Sequence, residues 1–283
     1  MKRVTFKSVL DGVATRMGLE PNANLQLNQA TALAEYITDR CAKYWERAAW
    51  PEWTQPELRQ YRANWDELID YAIGVEVYDS ASNAYYRSIA TPNQNNPPSD
   101  TVHWQPASEL DTYIDLAQSW QPNVINRVWG VYADNPLKAK SPRKVSWWLG
   151  PQGVWVDTSL AQVYVDFSLP PPAFTTTEWD VSLAYVAGDL IYYPPFGDCY
   201  RALAPSTGDA QSPAALPANW SLQAFPAILS RCVKMAAIAD ALREDENLSK
   251  ASAWDVQADD ACVDALDAMG PAMRIQPNFS LGK

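Results

Sequence analysis

Trp179-Asp180-Val181-Ser182-Leu183-Ala184-Tyr185-Val186-Ala187-Gly188-Asp189-Leu190-Ile191-Tyr192 has a counterpart 114 residues earlier. That counterpart is Trp65-Asp66-Glu67-Leu68-Ile69-Asp70-Tyr71-Ala72-Ile73-Gly74-Val75-Glu76-Val77-Tyr78. The match continues without a slip to Tyr86-Arg87 and Tyr200-Arg201, then crosses a variable proline-containing loop. The closing Trp104 and Trp220 are 116 residues apart. Val75 and Val77, then Tyr85, Arg87 and Ile89, alternate around Asp79-Ser80-Ala81-Ser82-Asn83, which has the chemistry of a hairpin turn. Thr91 to Pro98 reads as loop. Two copies separated by unrelated sequence indicate a small β module placed at two points of one host, at 64–107 and 178–222. A solenoid would need at least three contiguous units.

Outward from the copies the chain changes character. Residues 4–18 read as an amphipathic helix through Val9, Val13 and Met17, stopped at Gly18. A second helix is capped by Asn28, buries Leu33, Ile37, Cys41, Tyr44 or Trp45 and Ala48, and ends at Pro51. Glu57 to Arg62 reads as a further turn of helix, which completes a helical first segment over 1–63. Residues 108–177 read as β hairpins: Ile125–Tyr132, then Lys144–Leu149 and Val154–Asp157 around Gly150-Pro151-Gln152-Gly153. Gln162 to Leu169 follows, with Val163, Val165 and Phe167 on one face. From Phe225 the chain reads as helical to 269. One stripe runs Ile228, Cys232, Met235 or Ala236, Ala239 and Leu242. Another runs Trp254, Ala258, Ala261 or Cys262, Ala265 and Met269, with Asn247 or Ser249 as its cap. Residues 270–283 have no period but carry Met273, Ile275, Phe279 and Leu281, as an arm that orders on a partner would. Helices at both ends around central strands indicate an α+β fold, with the terminal segments packed as one bundle.

Composition bounds the chemistry. A net charge of −11 argues against tight sequence-independent binding to nucleic acid, which needs clustered cations. The one basic cluster, Lys138, Lys140, Arg143 and Lys144, lies in a loop and reads as a solvated face. No apolar run approaches the length of a membrane helix, and the N-terminus lacks the apolar region of a signal peptide. Cys41, Cys199, Cys232 and Cys262 are widely spaced and read as reduced, mostly buried thiols. The single histidine, His103, has no partners in a recognisable constellation and reads as a packing or hydrogen-bonding residue. There is no phosphate-binding glycine loop, nucleophile elbow or zinc motif. No catalytic residue, metal or cofactor is expected. Tyr85 with Tyr86, and Tyr192 with Tyr193, are the nearest things to glycan-stacking or interface aromatics. Strand alternation places one ring of each pair in the core and one outside.

The second copy is similar to the small chitin-binding-type carbohydrate-binding modules of families 5 and 12. Trp179, Tyr185-Val186-Ala187-Gly188-Asp189-Leu190-Ile191-Tyr192, Tyr200-Arg201-Ala202, Pro213 and Trp220 carry that likeness. The first copy departs from it at Val75, where the pattern has Asp. The host resembles the head-to-tail adaptor (connector, head-completion) proteins of tailed bacteriophages. Tyr36, Arg40, Tyr44-Trp45-Glu46 and Trp50-Pro51-Glu52 carry that resemblance at one end. Ala236-Ala237-Ile238-Ala239-Asp240-Ala241-Leu242-Arg243-Glu244-Asp245-Glu246-Asn247-Leu248-Ser249-Lys250-Ala251 carry it at the other, and Pro142 to Gly153 between. The resemblance implies a structural virion protein made in the host cytoplasm: a ring of twelve copies at the neck, between the portal and a tail or nozzle protein. It also implies transient contact with passing DNA and no membrane. Weak glycan binding by the β modules is part of the same expectation. The alternatives are a polysaccharide-binding protein, of chitin or a cell-wall glycan, and another tail or baseplate component.

Overall fold

A computed structural model describes residues 3–19, 27–50, 53–117, 123–151 and 153–269. The arm residues Met273, Ile275, Phe279 and Leu281 lie outside the described residues. The chain forms two compact units, Met1–Glu52 with Pro171–Lys283, and Trp53–Pro170.

The first unit opens with β1 (Arg3–Val4), α1 (Phe6–Arg16) and α2 (Leu27–Trp45). Thr5 caps α1 by accepting the Ser8 amide, and Phe6, Val9, Val13 and Ala14 form its buried face. Gly18 follows at φ +79°, a conformation that costs glycine nothing. In α2 the expected face is buried: Leu33, Ile37, Cys41, Tyr44 and Trp45. Two details differ from expectation. Asn28 lies inside the helix rather than ahead of it. The helix also ends at Trp45, before Pro51 is reached, because Trp50 folds back and its indole N–H donates to the Tyr44 carbonyl at 3.0 Å. That bond occupies one of the carbonyls a helix end leaves open.

The second unit holds β2 (Thr54–Gln60), β3 (Glu76–Asp79), β4 (Ala84–Ser88), β5 (Trp104–Pro106), β6 (Tyr113–Asp115), β7 (Arg127–Tyr132), β8 (Ser146–Leu149), β9 (Gly153–Asp157) and β10 (Gln162–Ser168). They form three antiparallel sheets, ordered β2-β10-β7, β6-β9-β8 and β3-β4-β5. Thr54–Gln60 is thus a strand, where a turn of helix was expected. Its polarity is inverted, with Leu58 exposed and Arg59 buried over the Phe167 ring, so no apolar alternation advertises it. Pairing along all seven residues of β10 sets its conformation, and Pro56 is tolerated because β2 is an edge strand. Val163, Val165 and Phe167 share one core with Val128, Val131, Ile114, Val154 and Val156.

Back in the first unit follow β11 (Ala184–Tyr185), β12 (Leu190–Tyr193), β13 (Asp198–Ala202), β14 (Ser206–Thr207), β15 (Trp220–Gln223), β16 (Phe225–Pro226), α3 (Ser230–Glu244) and α4 (Leu248–Ala268). Phe225 does not begin a helix. It pairs with Val4 in the β1–β16 ladder, and α3 starts five residues later. The single stripe expected on α3 is too narrow: Val233, Ala237, Ile238 and Ala241 are buried as well as Cys232, Met235, Ala236 and Ala239. Burial on most sides of its middle turns is what contact with α1, α2 and α4 together requires, while Arg231 and Arg243 near its ends stay exposed. On α4 the expected stripe is buried at Ala258, Ala261 and Cys262. Asn247 stands at its cap position without a side-chain cap bond, and Ser249 lies inside the helix. The fold is therefore α+β, with four helices and several small antiparallel sheets among the described residues. No described helix is long and apolar enough to cross a membrane.

Candidate functional site

The repeat is a repeat of hydrogen bonds as well as of letters. The Asp66 amide donates to the Tyr71 hydroxyl at 2.7 Å, and the Asp180 amide to the Tyr185 hydroxyl at 2.7 Å. Tyr71 meets Trp104 edge to face at 5.2 Å, and Tyr185 meets Trp220 likewise at 5.6 Å. The indole N–H groups of Trp104 and Trp220 donate to Asn96 O at 2.8 Å and Gln211 O at 2.7 Å, each across the variable loop. Gly74 and Gly188 adopt φ +92° and +101°, which aims their amides at Ser88 O and Ala202 O. Three strands follow in each case, ordered β3-β4-β5 and β12-β13-β15. Val75 marks one visible loss. Asp189, at the equivalent place, closes its turn by accepting the Val186 amide at 2.8 Å.

The four tyrosines do not form open platforms. One face of each small sheet builds the copy's own core: Tyr71, Val77 and Trp104, or Tyr185, Ile191, Tyr200 and Trp220. The other face is occupied too. Tyr85 is buried against Tyr61 and Tyr78, donates its hydroxyl hydrogen to Ala161 O at 2.6 Å and accepts the Tyr61 amide at 3.0 Å. Burial pushes that hydroxyl up to about 12, so it stays neutral. Tyr86 is half-buried against the copy's core. Tyr192 is half-buried with its ring edge-on to Phe6 of α1, at 6.2 Å. Tyr193 is buried between Trp179 and Tyr200. In each pair one ring is buried and the other half-buried, because residues also pack on the second face of each sheet.

What stays open lies elsewhere. Ile69 and Leu183, and Ile89 and Leu203, are matched positions of the two copies and all four are exposed. A pocket of about 490 Å³ opens beside Trp65, walled by Asn64, Asp66, Glu67 and Ile69. Across β6, β9 and β8 runs a row of rings: Tyr113 to Trp155 at 5.0 Å, then Trp155 to Trp148 at 6.2 Å with planes 5° apart. Trp148, at the edge of that sheet, is 53% exposed. The hairpin around Gly150 and Gly153 sets Trp148 directly across from Trp155. Counting outward from that turn is the signal that would have revealed the Trp148–Trp155 pair, whereas Tyr113 joins it only through the pairing of β6 with β9.

His103 bonds Asp100 at 2.7 Å, and Asp100 is held below the usual carboxylate range by the Val102 amide first and His103 second. Lys138, Lys140, Arg143 and Lys144 are exposed, with Arg143 paired to Asp134 at 2.9 Å. No group of three or more candidate metal ligands is present among the described residues.

The helical stretches, distant in sequence, meet through charge. Arg40 of α2 grips Asp240 of α3 with two donors, Nε at 2.5 Å. It also reaches Asp255 of α4 at 3.3 Å, while Arg243 bridges Asp240 and Asp255. Arg47 pairs Asp259 at 2.9 Å. No protein family, no curated protein and no solved structure matches this chain.

Proposed function

We propose that this chain is a structural virion protein, a head-to-tail adaptor that forms a ring beneath the portal and lines the DNA exit channel. On this reading the four helices are the adaptor's bundle, and the two repeat copies are β modules inserted into it. The observation that carries the reading is the Arg40–Asp240–Arg243–Asp255 network. It joins the stretch around Tyr36, Arg40 and Trp45 to the stretch from Ala236 to Ala251, the two parts of the sequence that resemble adaptors. The net charge of −11 suits a wall that DNA must pass without sticking. Heterologous contacts between neighbours would close a ring of twelve, and the arm carrying Met273, Ile275, Phe279 and Leu281 would dock on the portal or on a neighbour. The test is the copy number of this chain per purified particle, by quantitative mass spectrometry against the major capsid protein. A value near twelve supports the reading, and absence from particles overturns it.

A second reading, binding of a polysaccharide, is favoured by the row Tyr113, Trp155 and Trp148 rather than by the covered tyrosine pairs. Retention on insoluble chitin or cell-wall glycan that Trp148→Ala removes would favour it over the adaptor.

A further inference from the structure

The sheet β6-β9-β8 turns one face to the core and the other to solvent. Ile114, Val154 and Val156 lie on the core side. The strand period of two therefore sets Tyr113, Asp115, Trp155, Asp157, Ser146 and Trp148 on the open side. Tyr113 stands opposite Trp155, and Trp155 opposite Trp148, so the rings form a row across all three strands. Two glycines make room for that row. Tyr113 lies over Gly153, where a Cβ would come within 2.6 Å of its ring. Trp155 lies against Gly150, where a Cβ would meet its Nε1 at 3.0 Å. Trp155 and Trp148 keep their planes 5° apart on neighbouring strands, so their faces share one orientation. Trp148 is exposed, and the other two rings are half-buried.

Aromatic side chains of this size are usually core or interface anchors. Here three stand side by side on an outer face, with bare backbone under two of them. Ring centres 5.0 and 6.2 Å apart are close to one sugar per ring in an extended chain of pyranoses, whose C–H faces pack on such rings. The row is flanked by acid. Asp115, across from Gly153, lies on one side of it, and Asp157, across from Ser146, on the other. Asp115 accepts the Ala117 amide at 2.9 Å. Both carboxylates are exposed, and neither has an ion-pair partner among the described residues. Lys144, exposed two residues before Ser146, pairs with neither. Stacking surfaces between uncompensated carboxylates suit a sugar that brings positive charge. Its C–H face meets a ring, and its ammonium is attracted by the carboxylate and by the ring's negative face.

We propose that the open face of β6-β9-β8 binds a glycan whose pyranoses carry free amino groups, with sugars stacked on Trp155 and Trp148 and ammonium groups held by Asp115 and Asp157. The proposal rests on the polysaccharide reading above and adds the charge of the sugar. An acetylated chain engages the rings alone. An acidic chain is repelled by the two carboxylates.

The experiment titrates the full chain by calorimetry, at mildly acid pH, with a glucosamine hexamer and separately with its fully N-acetylated counterpart. The expected result is that the amino hexamer binds about tenfold tighter, the worth of one or two charge-assisted hydrogen bonds, and that added salt removes the difference. Asp157→Asn, at an exposed position, reduces that preference and leaves the acetylated hexamer unaffected. Trp148→Ala, also exposed, weakens both hexamers while circular dichroism stays native. Equal affinity for the two hexamers, or a preference that survives Asp115→Asn and Asp157→Asn together, would overturn the proposal and leave the polysaccharide reading standing. Binding unchanged in Trp148→Ala and in Trp155→Ala would overturn it by placing the glycan elsewhere on the chain. Binding of neither hexamer would remove the proposal together with the reading it rests on.

Discussion

Tyr71 and Tyr185 hold the amides of Asp66 and Asp180 at the same distance, yet another equivalent pair of positions, Tyr85 and Cys199, do unrelated things. Tyr85 ties the first copy to a β core through Tyr61 and Ala161. Cys199 lies against the backbone of Thr175, donating to its carbonyl at 3.3 Å. The turns differ as well. In the first copy Asp79 closes its own hairpin, accepting from Ala81 and Ser82. In the second, the turn at Gly197 accepts the Lys7 amide, and buried Asp198 accepts the Phe6 amide at the start of α1. The shared residues build each copy from inside; the residues that differ attach it to its own surroundings. A repeat in sequence thus preserves what a small sheet needs in order to exist, and leaves its attachment free to vary.

The sharpest way to break this comparison is to remove the closing tryptophans one at a time. Trp104→Ala and Trp220→Ala should each cost about 3–5 kcal/mol, since each empties the centre of a very small core. Hydrogen exchange should show protection lost over 64–107 in the first variant and 178–222 in the second. Loss across both copies in either variant would show that they are not separate cores.

Asp198→Ala should cost about 1–3 kcal/mol, because it leaves the Phe6 amide unpaired in a buried place. Asp79→Ala removes only exposed turn bonds and should cost well under about 1 kcal/mol. Equal losses in urea denaturation would mean that the second turn is not the anchor of α1.

The two units should also part company with pH. Burial pushes Asp166, on the central strand β10, up to about 6, above the roughly 3.9 of an unfolded chain. Between these values the folded state holds the proton that the unfolded state releases. The stability of Trp53–Pro170 therefore falls as pH rises through the window, by roughly 2 kcal/mol after allowance for solvent. Asp166→Asn should flatten that slope and raise stability at neutral pH, with no gain below about pH 4. Denaturation followed across pH 4 to 7 by exchange in the two units tests it, and a slope that survives the substitution would assign it to another group.

A smaller effect than that of Asp166 is expected from Tyr71→Phe and Tyr185→Phe. Tyr71→Phe should cost about 1 kcal/mol, the worth of one hydrogen bond, and Tyr185→Phe somewhat more, because its hydroxyl also donates to Asp180 O at 3.2 Å. A larger loss in Tyr71→Phe would show that the two networks do not scale with their bonds.

Much of the secondary structure was legible because it rests on local signals. Val9 and Val13 mark α1, Leu33 to Cys41 mark α2, and Gly150 with Gly153 mark the β8–β9 turn. The strand at Thr54–Gln60 was not legible, since its conformation comes from β10, more than a hundred residues on, and its outward residue is Leu58. The candidate surfaces were legible only in part. The paired tyrosines are visible as letters, but whether a ring faces water depends on what the other face of its sheet meets.

The amino-acid order by itself determined the repeat, its glycines with positive φ and its small aromatic cores, because those bonds close within some forty residues. Only the tertiary structure decided that Tyr85 turns inward, that Trp148 stands open beside Trp155, and that Arg40 reaches both Asp240 and Asp255. Those outcomes depend on which buried surface a distant segment supplies. Spacing along the chain carries no record of that contact.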